Sequence, residues 1–332
     1  MAPMTRSRAE VSGDPNDLMV TYYRQRASAG LIVSEGIYPS FAGQGYCRTP
    51  GLVTVSQVAG WKRVTEGVHA EGGTMVAQLM HCGRIAHAAN KHGATVAPSA
   101  IRAAGQMYTD THGMQPFDEP RELSGDEVVS VIADYRQATE LAMEAGFDGV
   151  ELHGTSGYLP AQFLCTGTNG RCDEWGGCLE NRIRFPLAVL AAMSDVAGAD
   201  RVGLRICPGN PFNDLHDDDP EETFAGLLQA LPPIGLAYLH VIRRQGADLD
   251  NMALARRCFD GPLLLNDGYT PEEAVAAIGA GRGAAVSFGR LFVAHPDLVA
   301  RVQKSYDLED FNHRTLYTPG PQGYVDYKEY TA

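Results

Sequence analysis

The chain has 332 residues, with 27 Lys and Arg against 40 Asp and Glu and a formal net charge of −13. Its 44% hydrophobic and 20% charged content excludes a disordered, collagen-like or coiled-coil protein. The acidic balance repels nucleic acid and anionic membranes, so an anionic ligand must meet a local cationic pocket.

Seven cysteines (Cys47, Cys82, Cys165, Cys172, Cys178, Cys207 and Cys258) form no C-x-x-C pair. Neither a disulfide framework nor a zinc site is expected, and no metal is predicted. The N-terminus lacks a signal-peptide core, and no apolar run reaches the roughly 18 residues of a membrane helix. The expectation is a cytoplasmic protein with no membrane or nucleic-acid partner.

Eight strand-like runs follow one another along the chain: 1–5 (MAPMT), 31–36 (LIVSEG), 74–80 (TMVAQLM), 147–153 (FDGVELH), 201–206 (RVGLRI), 236–242 (LAYLHVI), 262–267 (PLLLND) and 284–289 (AAVSFG). Amphipathic helical patterns separate them. The clearest is 127–146, where Val128, Val131, Ile132, Tyr135, Ala138, Leu141, Ala142 and Ala145 share one 3.6-period face. Ser124 and Glu127 have capping-box spacing, and Gly146 is placed to end the helix. Eight strand–helix alternations predict parallel strands closed into a (β/α)8 TIM barrel. An open doubly wound sheet expects a Gly-rich turn after its first strand, whereas TRSRAEVSGDPND stands here. Residues 1–332 are read as one barrel domain, with 81–123 a long loop over the C-terminal mouth.

In such a barrel the strand ends converge: Thr5, Glu35 and Gly36, Gln78, His153, Arg205, His240 and Arg243, Asn266 to Gly268, and Gly289 with Arg290. This set offers donors, glycines and arginines but no ring of carboxylates for a metal. Gly268, Gly289 and Arg290 precede helices near the last two strands, a common phosphate-binding arrangement; glycines needed only for tight turns are the alternative. His153, Ser156 and Tyr158 in HGTSGYL bring two donors and a phenol to one small substrate. Arg243 and Arg244 either assist a nucleotide phosphate or decorate a loop.

The same residues carry a family resemblance. APMTRSRA at 2–9, AQLMHCGR at 77–84, HGTSGYL at 153–159, QFLCTGTNGRCDEWGGCLENRIRF at 162–185, RVGLRICPGNPFND at 201–214 and FGRLFVAHPDLV at 288–299 stand in family order. Together they resemble the classical old yellow enzymes, FMN-dependent ene-reductases. The resemblance implies tightly bound, noncovalent FMN at the barrel mouth, with NADPH or NADH as reductant. Thr5 would bond the flavin O4 edge, Gln78 the pyrimidine edge, and Arg205 would stabilise the reduced flavin. Pro3, Met4 and Gly36 would line the ring. Gly268, Gly289 and Arg290 would hold the phosphate, with Asp267 beside them in the cofactor-binding set, a carboxylate that could turn outward.

By the same resemblance, turnover is ping-pong on activated alkenes, α,β-unsaturated carbonyl or nitro compounds. His153 and Ser156 polarise the activating oxygen, hydride comes from flavin N5, and Tyr158 gives the proton. Tyr46 and Tyr317 shape the substrate mouth. The expected partner is a small-molecule alkene, and the expected state a monomer or homodimer. Three departures stand out: Ser156 replaces the usual Asn or His, Met80 replaces a Trp, and an N-terminal hairpin that plugs the barrel floor is expected to be missing. The alternatives are a barrel aldolase or isomerase acting on a phosphorylated molecule, and a flavin-binding protein with weakened catalysis.

Overall fold

The computed structural model describes residues 1–231 and 234–330. Its frame is a curled sheet of seven parallel strands: β1 (Ile32–Ile37), β2 (Met75–Leu79), β7 (Gly149–His153), β8 (Val202–Ile206), β9 (Tyr238–Ile242), β10 (Leu263–Asn266) and β11 (Ala285–Ser287). Four short strands intervene in the segment after β2: β3 (Val96–Ala97), β4 (Gln106–Thr109), β5 (Gly113–Pro116) and β6 (Arg121–Glu122). The seven strands are neighbours in strict chain order, as repeated right-handed strand–helix–strand crossovers require. Every residue of β1, β2, β7, β8 and β10 is buried. Helices outside and packed side chains inside demand such near-continuous apolar runs.

The run 1–5 departs from the strand expected there. Val33 N–H donates to the Met1 carbonyl (3.0 Å) and Ala2 N–H to the Phe288 carbonyl (2.9 Å), so these two residues bridge the first and last strands. Pro3 has no N–H to continue a ladder, and the chain turns to bring Pro3, Met4 and Thr5 to the mouth.

Helix Gly125–Glu144 follows its pattern closely. Ser124 and Glu127 form a reciprocal capping box, and Val128, Val131, Tyr135, Ala138 and Ala142 are buried. Gly146 adopts φ +84° just past the cap, the left-handed position that favours glycine. The segment 81–123 is more ordered than a loop. β4 and β5 form an antiparallel hairpin, and β3 pairs with β6.

Candidate active site

Parallel register places the side chains at the strand ends. Gln78 on β2 is level with Glu151 on β7, His153 on β7 with Arg205 on β8, and Arg205 with His240 on β9. A cavity of about 830 Å3 opens above them, walled by Pro3, Met4, Thr5, Gln78, His153 and Arg205. Ser156 and Tyr158 from the turn after β7, with Tyr46 and Tyr317, complete it.

The turn after β7 is shaped by its backbone. Ser156 has φ +60° and Gly157 +76°. A Cβ on Gly157 would come within 2.7 Å of the Asn213 Cβ, so that position needs glycine. Asn213 Nδ2 donates to the Ser156 carbonyl at 2.8 Å, and Arg84 donates to the Asp214 carbonyl at 2.5 Å. The turn delivers Tyr158 as the cap of helix Leu159–Leu164. Its hydroxyl lies 3.1 Å from the Tyr46 hydroxyl, and its ring meets His153 edge-on at 4.9 Å.

Electrostatics divides these groups. Burial, reinforced by the nearby Arg205 guanidinium, pushes His153 down to about 3, so its ring is a neutral donor. Burial raises Tyr158 well above an ordinary phenol, which keeps its proton in place. Two buried nitrogens facing this region, His153 Nδ1 and Arg205 Nε, have no hydrogen-bond partner. Such orphans mark a place where a polar ligand belongs.

Under the cavity lies a polar chain. Gln78 Nε2 donates to Glu151 Oε1 at 2.7 Å, Glu151 Oε2 meets His240 Nδ1 at 2.8 Å, and His240 Nε2 meets Ser287 Oγ at 2.7 Å. Arg205 donates to Asn266 Oδ1 at 2.6 Å. Burial works to raise the Glu151 pKa, but the His240 ring and Arg205 outweigh it and hold the carboxyl at about 2.

The C-terminal rim is clasped from below. Arg6 donates to the Leu316 and Gly323 carbonyls at 3.1 and 2.6 Å, and Arg8 to those of Leu316 and Thr315, both at 2.6 Å. Tyr22 and Tyr324 stack at 4.1 Å beneath them. These bonds tie down the chain on either side of Tyr317, whose ring stands half-exposed at the mouth.

Five expected cofactor residues lie outside this wall. Gly36 is covered by Met80, whose sulfur would be 2.6 Å from a Cβ there. Gly289 backs Met4. Gly268 and Asp267 border a separate polar cavity of about 420 Å3 with Arg243 and Arg244. Arg290 is 64% exposed and pairs with Asp267 at 3.0 Å.

Several wall residues carried no signal at the level of sequence. Met107, Tyr108, Asp110, Met114 and Phe117 arrive on or beside the β4–β5 hairpin, and Arg48, His313 and Arg314 from more distant parts of the chain. Glu151 did carry one. It is a carboxylate in an apolar strand, two residues before His153 and so on the same face. Among the cysteines, Cys165 is buried while Cys172 and Cys178 are exposed, all as free thiols. No helix among the described residues is long and apolar enough to cross a membrane.

Residues 1–309 match the model of the NADH:flavin oxidoreductase / NADH oxidase family. The chain is 38% identical to a probable flavin mononucleotide-dependent alkene reductase of Leishmania infantum, over 98% of this chain and 92% of that protein. Morphinone reductase in complex with tetrahydroNAD superposes with a TM-score of 0.96 at 41% identity, covering 100% of this chain and 93% of that one. The old yellow enzyme homologue from Zymomonas mobilis gives 0.96 at 38% identity, covering 99% and 94%. A barrel mouth with fixed donors, a protonated phenol and matches over nearly its whole length make this chain a member of the NADH:flavin oxidoreductase family, that of the old yellow enzymes.

Proposed function

We propose that the protein is an FMN-dependent ene-reductase that takes reducing equivalents from NADPH or NADH and saturates the C=C bond of α,β-unsaturated carbonyl or nitro compounds. The observation that carries this reading is the gathering of Gln78, Arg205, His153 and Tyr158 around one cavity, with two buried nitrogens left unpaired. Those donors suit the polar edge of a flavin and the oxygen of a substrate. The sugar-phosphate aldolase or isomerase alternative falls with the family assignment.

In this reading Thr5, Gln78 and Arg205 hold the flavin ring beside Pro3 and Met4. Gly268, Gly289 and Arg290 take its phosphate once Arg290 exchanges the Asp267 carboxylate for it. The bound flavin supplies two-electron exchange between nicotinamide and alkene. His153 and Ser156 donate hydrogen bonds to the activating oxygen, where negative charge grows in the transition state. His153 does so as a neutral ring, so its N–H remains throughout the physiological range. Tyr158 protonates the α-carbon, and its raised pKa keeps the acid form populated. Tyr46 bonds the Tyr158 hydroxyl and orients it. Tyr317 borders substrate entry.

Anaerobic mixing with NADPH and then cyclohexenone tests the assignment. Bleaching of the yellow band followed by its return is expected. Bleaching with no return for any activated alkene would leave a flavin-binding protein without this catalysis.

A further inference from the structure

Of the chain Gln78–Glu151–His240–Ser287 only Gln78 has a part in the steps above, yet the chain crosses the barrel interior through four strands with every link between 2.7 and 2.8 Å. Glu151 and His240 are completely buried and Gln78 is 2% exposed. Burying a carboxylate is costly unless it is fully hydrogen-bonded and balanced. A structural role alone would be filled more cheaply by apolar side chains of similar volume.

The chemistry of the acceptor gives the chain a direction. A carboxylate only accepts hydrogen bonds, so Glu151 forces the Gln78 amide to turn its nitrogen inward. The amide oxygen and the second N–H then face outward, an acceptor beside a donor. That pair complements the imide edge of a flavin, an N–H flanked by carbonyl oxygens. His240 locks the arrangement from behind: Nδ1–H donates to Glu151 while Nε2 accepts from the Ser287 hydroxyl, so neither the ring nor the carboxylate is free to rotate.

We propose that Glu151 is a positioning residue for the flavin: anchored by His240 and Ser287, it sets the direction of the Gln78 amide and, opposite Arg205, the net charge beneath the imide edge. The proposal rests on the reading of Gln78 as a flavin contact. The Glu151 carboxylate has the same negative sign as the reduced flavin and repels it, so Glu151 tempers the pull of Arg205 towards the reduced state.

Two substitutions separate charge from contact. Glu151→Gln keeps an oxygen for Gln78, and its amide N–H can donate to His240 Nδ1 once the ring proton moves to Nε2 and on to Ser287 Oγ. Only the charge is lost. At fixed poise against a redox dye, the reduced-to-oxidised flavin ratio should rise about tenfold, about 30 mV for a two-electron couple. The FMN dissociation constant should stay within about threefold of wild type, the size of a lost fraction of one neutral hydrogen bond.

Glu151→Asp keeps the charge but ends one methylene short of Gln78. Here the ratio should stay near wild type while FMN binds about tenfold more weakly, the worth of one good hydrogen bond. Gln78→Ala is the control. If it changes neither quantity, Gln78 is not a flavin contact and both readings fall. If it changes them while Glu151→Gln leaves the ratio within about twofold of wild type, this proposal is overturned and the flavin site stands. Should both Glu151 variants fail to fold, Ser287→Ala, which unlocks His240, is expected to weaken FMN binding about threefold. Unchanged binding there overturns the proposal.

Discussion

Tyr158 and His153 touch edge to face, and burial drives their protonation in opposite directions: the phenol keeps its proton and the imidazole sheds its extra one. Each therefore keeps one protonation state across the neutral range. Neither titrates between about pH 5 and 9, so the rate of alkene reduction by pre-reduced enzyme should be flat there. A single sigmoidal step with its midpoint near pH 6.5 in stopped-flow traces would mean His153 titrates during turnover. Tyr158→Phe should slow that oxidative half-reaction by roughly a hundredfold, the usual worth of a positioned acid, with flavin reduction by NADPH nearly intact. Equal slowing of both halves would remove Tyr158 from the proton-donor role. Ser156 occupies the left-handed region at φ +60°, which Asn tolerates better than Ser. Ser156→Asn should consequently bind a phenol ligand more tightly through its longer donor and gain a few tenths of a kcal/mol in stability. Unchanged phenol affinity in a spectral titration would show that residue 156 does not reach the ligand's oxygen.

At the scale of elements, local chemistry and tertiary approach part company. Helix Gly125–Glu144 was legible in its apolar period and its capping box because both are properties of neighbouring residues. The strands β2, β7, β8 and β9 were legible as apolar runs, and their ends brought Gln78, His153, Arg205 and His240 together as alternation requires. The run 1–5 read as a strand on apolarity, but Pro3 stops its ladder and leaves only the contacts of Met1 and Ala2. β10 is followed by Asp267, at φ +73° with its carboxylate on Arg290. Asp267→Gly should relieve that backbone and free Arg290, tightening FMN binding by about 1 kcal/mol. Weaker binding by apoprotein fluorescence titration would mean that Asp267 helps to build the phosphate turn.

Across the whole molecule, the N-terminal segment, β1 and the C-terminal rim share one buried charged cluster. Arg6, Arg8 and Arg26 crowd the Tyr22 and Tyr324 rings, and Glu35 sits among them, bonded to the Tyr23 hydroxyl at 3.3 Å. Burial raises Glu35 from 4.5 to about 7, against the opposing pull of its bond to the Arg6 backbone and of the Arg6 charge. The folded protein thus keeps this proton up to about pH 7, whereas the unfolded chain releases it near 4.5. Stability from Glu35 is complete below pH 4.5 and is lost as pH rises through 7. Glu35→Gln should match wild type at pH 4 and exceed it at pH 8 by on the order of 2 kcal/mol. Urea unfolding at both values checks this, and an equal difference at the two would contradict it.

What the sequence by itself determined were the parts written in neighbouring residues: the alternation of strands and helices, the helix caps, and the strand-end side chains that parallel register must converge. The family pattern of its motifs added the cofactor and the reaction class. Only the tertiary structure decided the rest of the wall, where the β4–β5 hairpin and residues 212–213 and 313–319 meet the mouth from distant parts of the chain. It also decided that Arg290 turns to Asp267, and that Glu151 finds His240 across the barrel. The reason is physical. Strand alternation fixes which way a side chain points, but which partner it meets depends on chain closure over tens of residues, and no local periodicity records that.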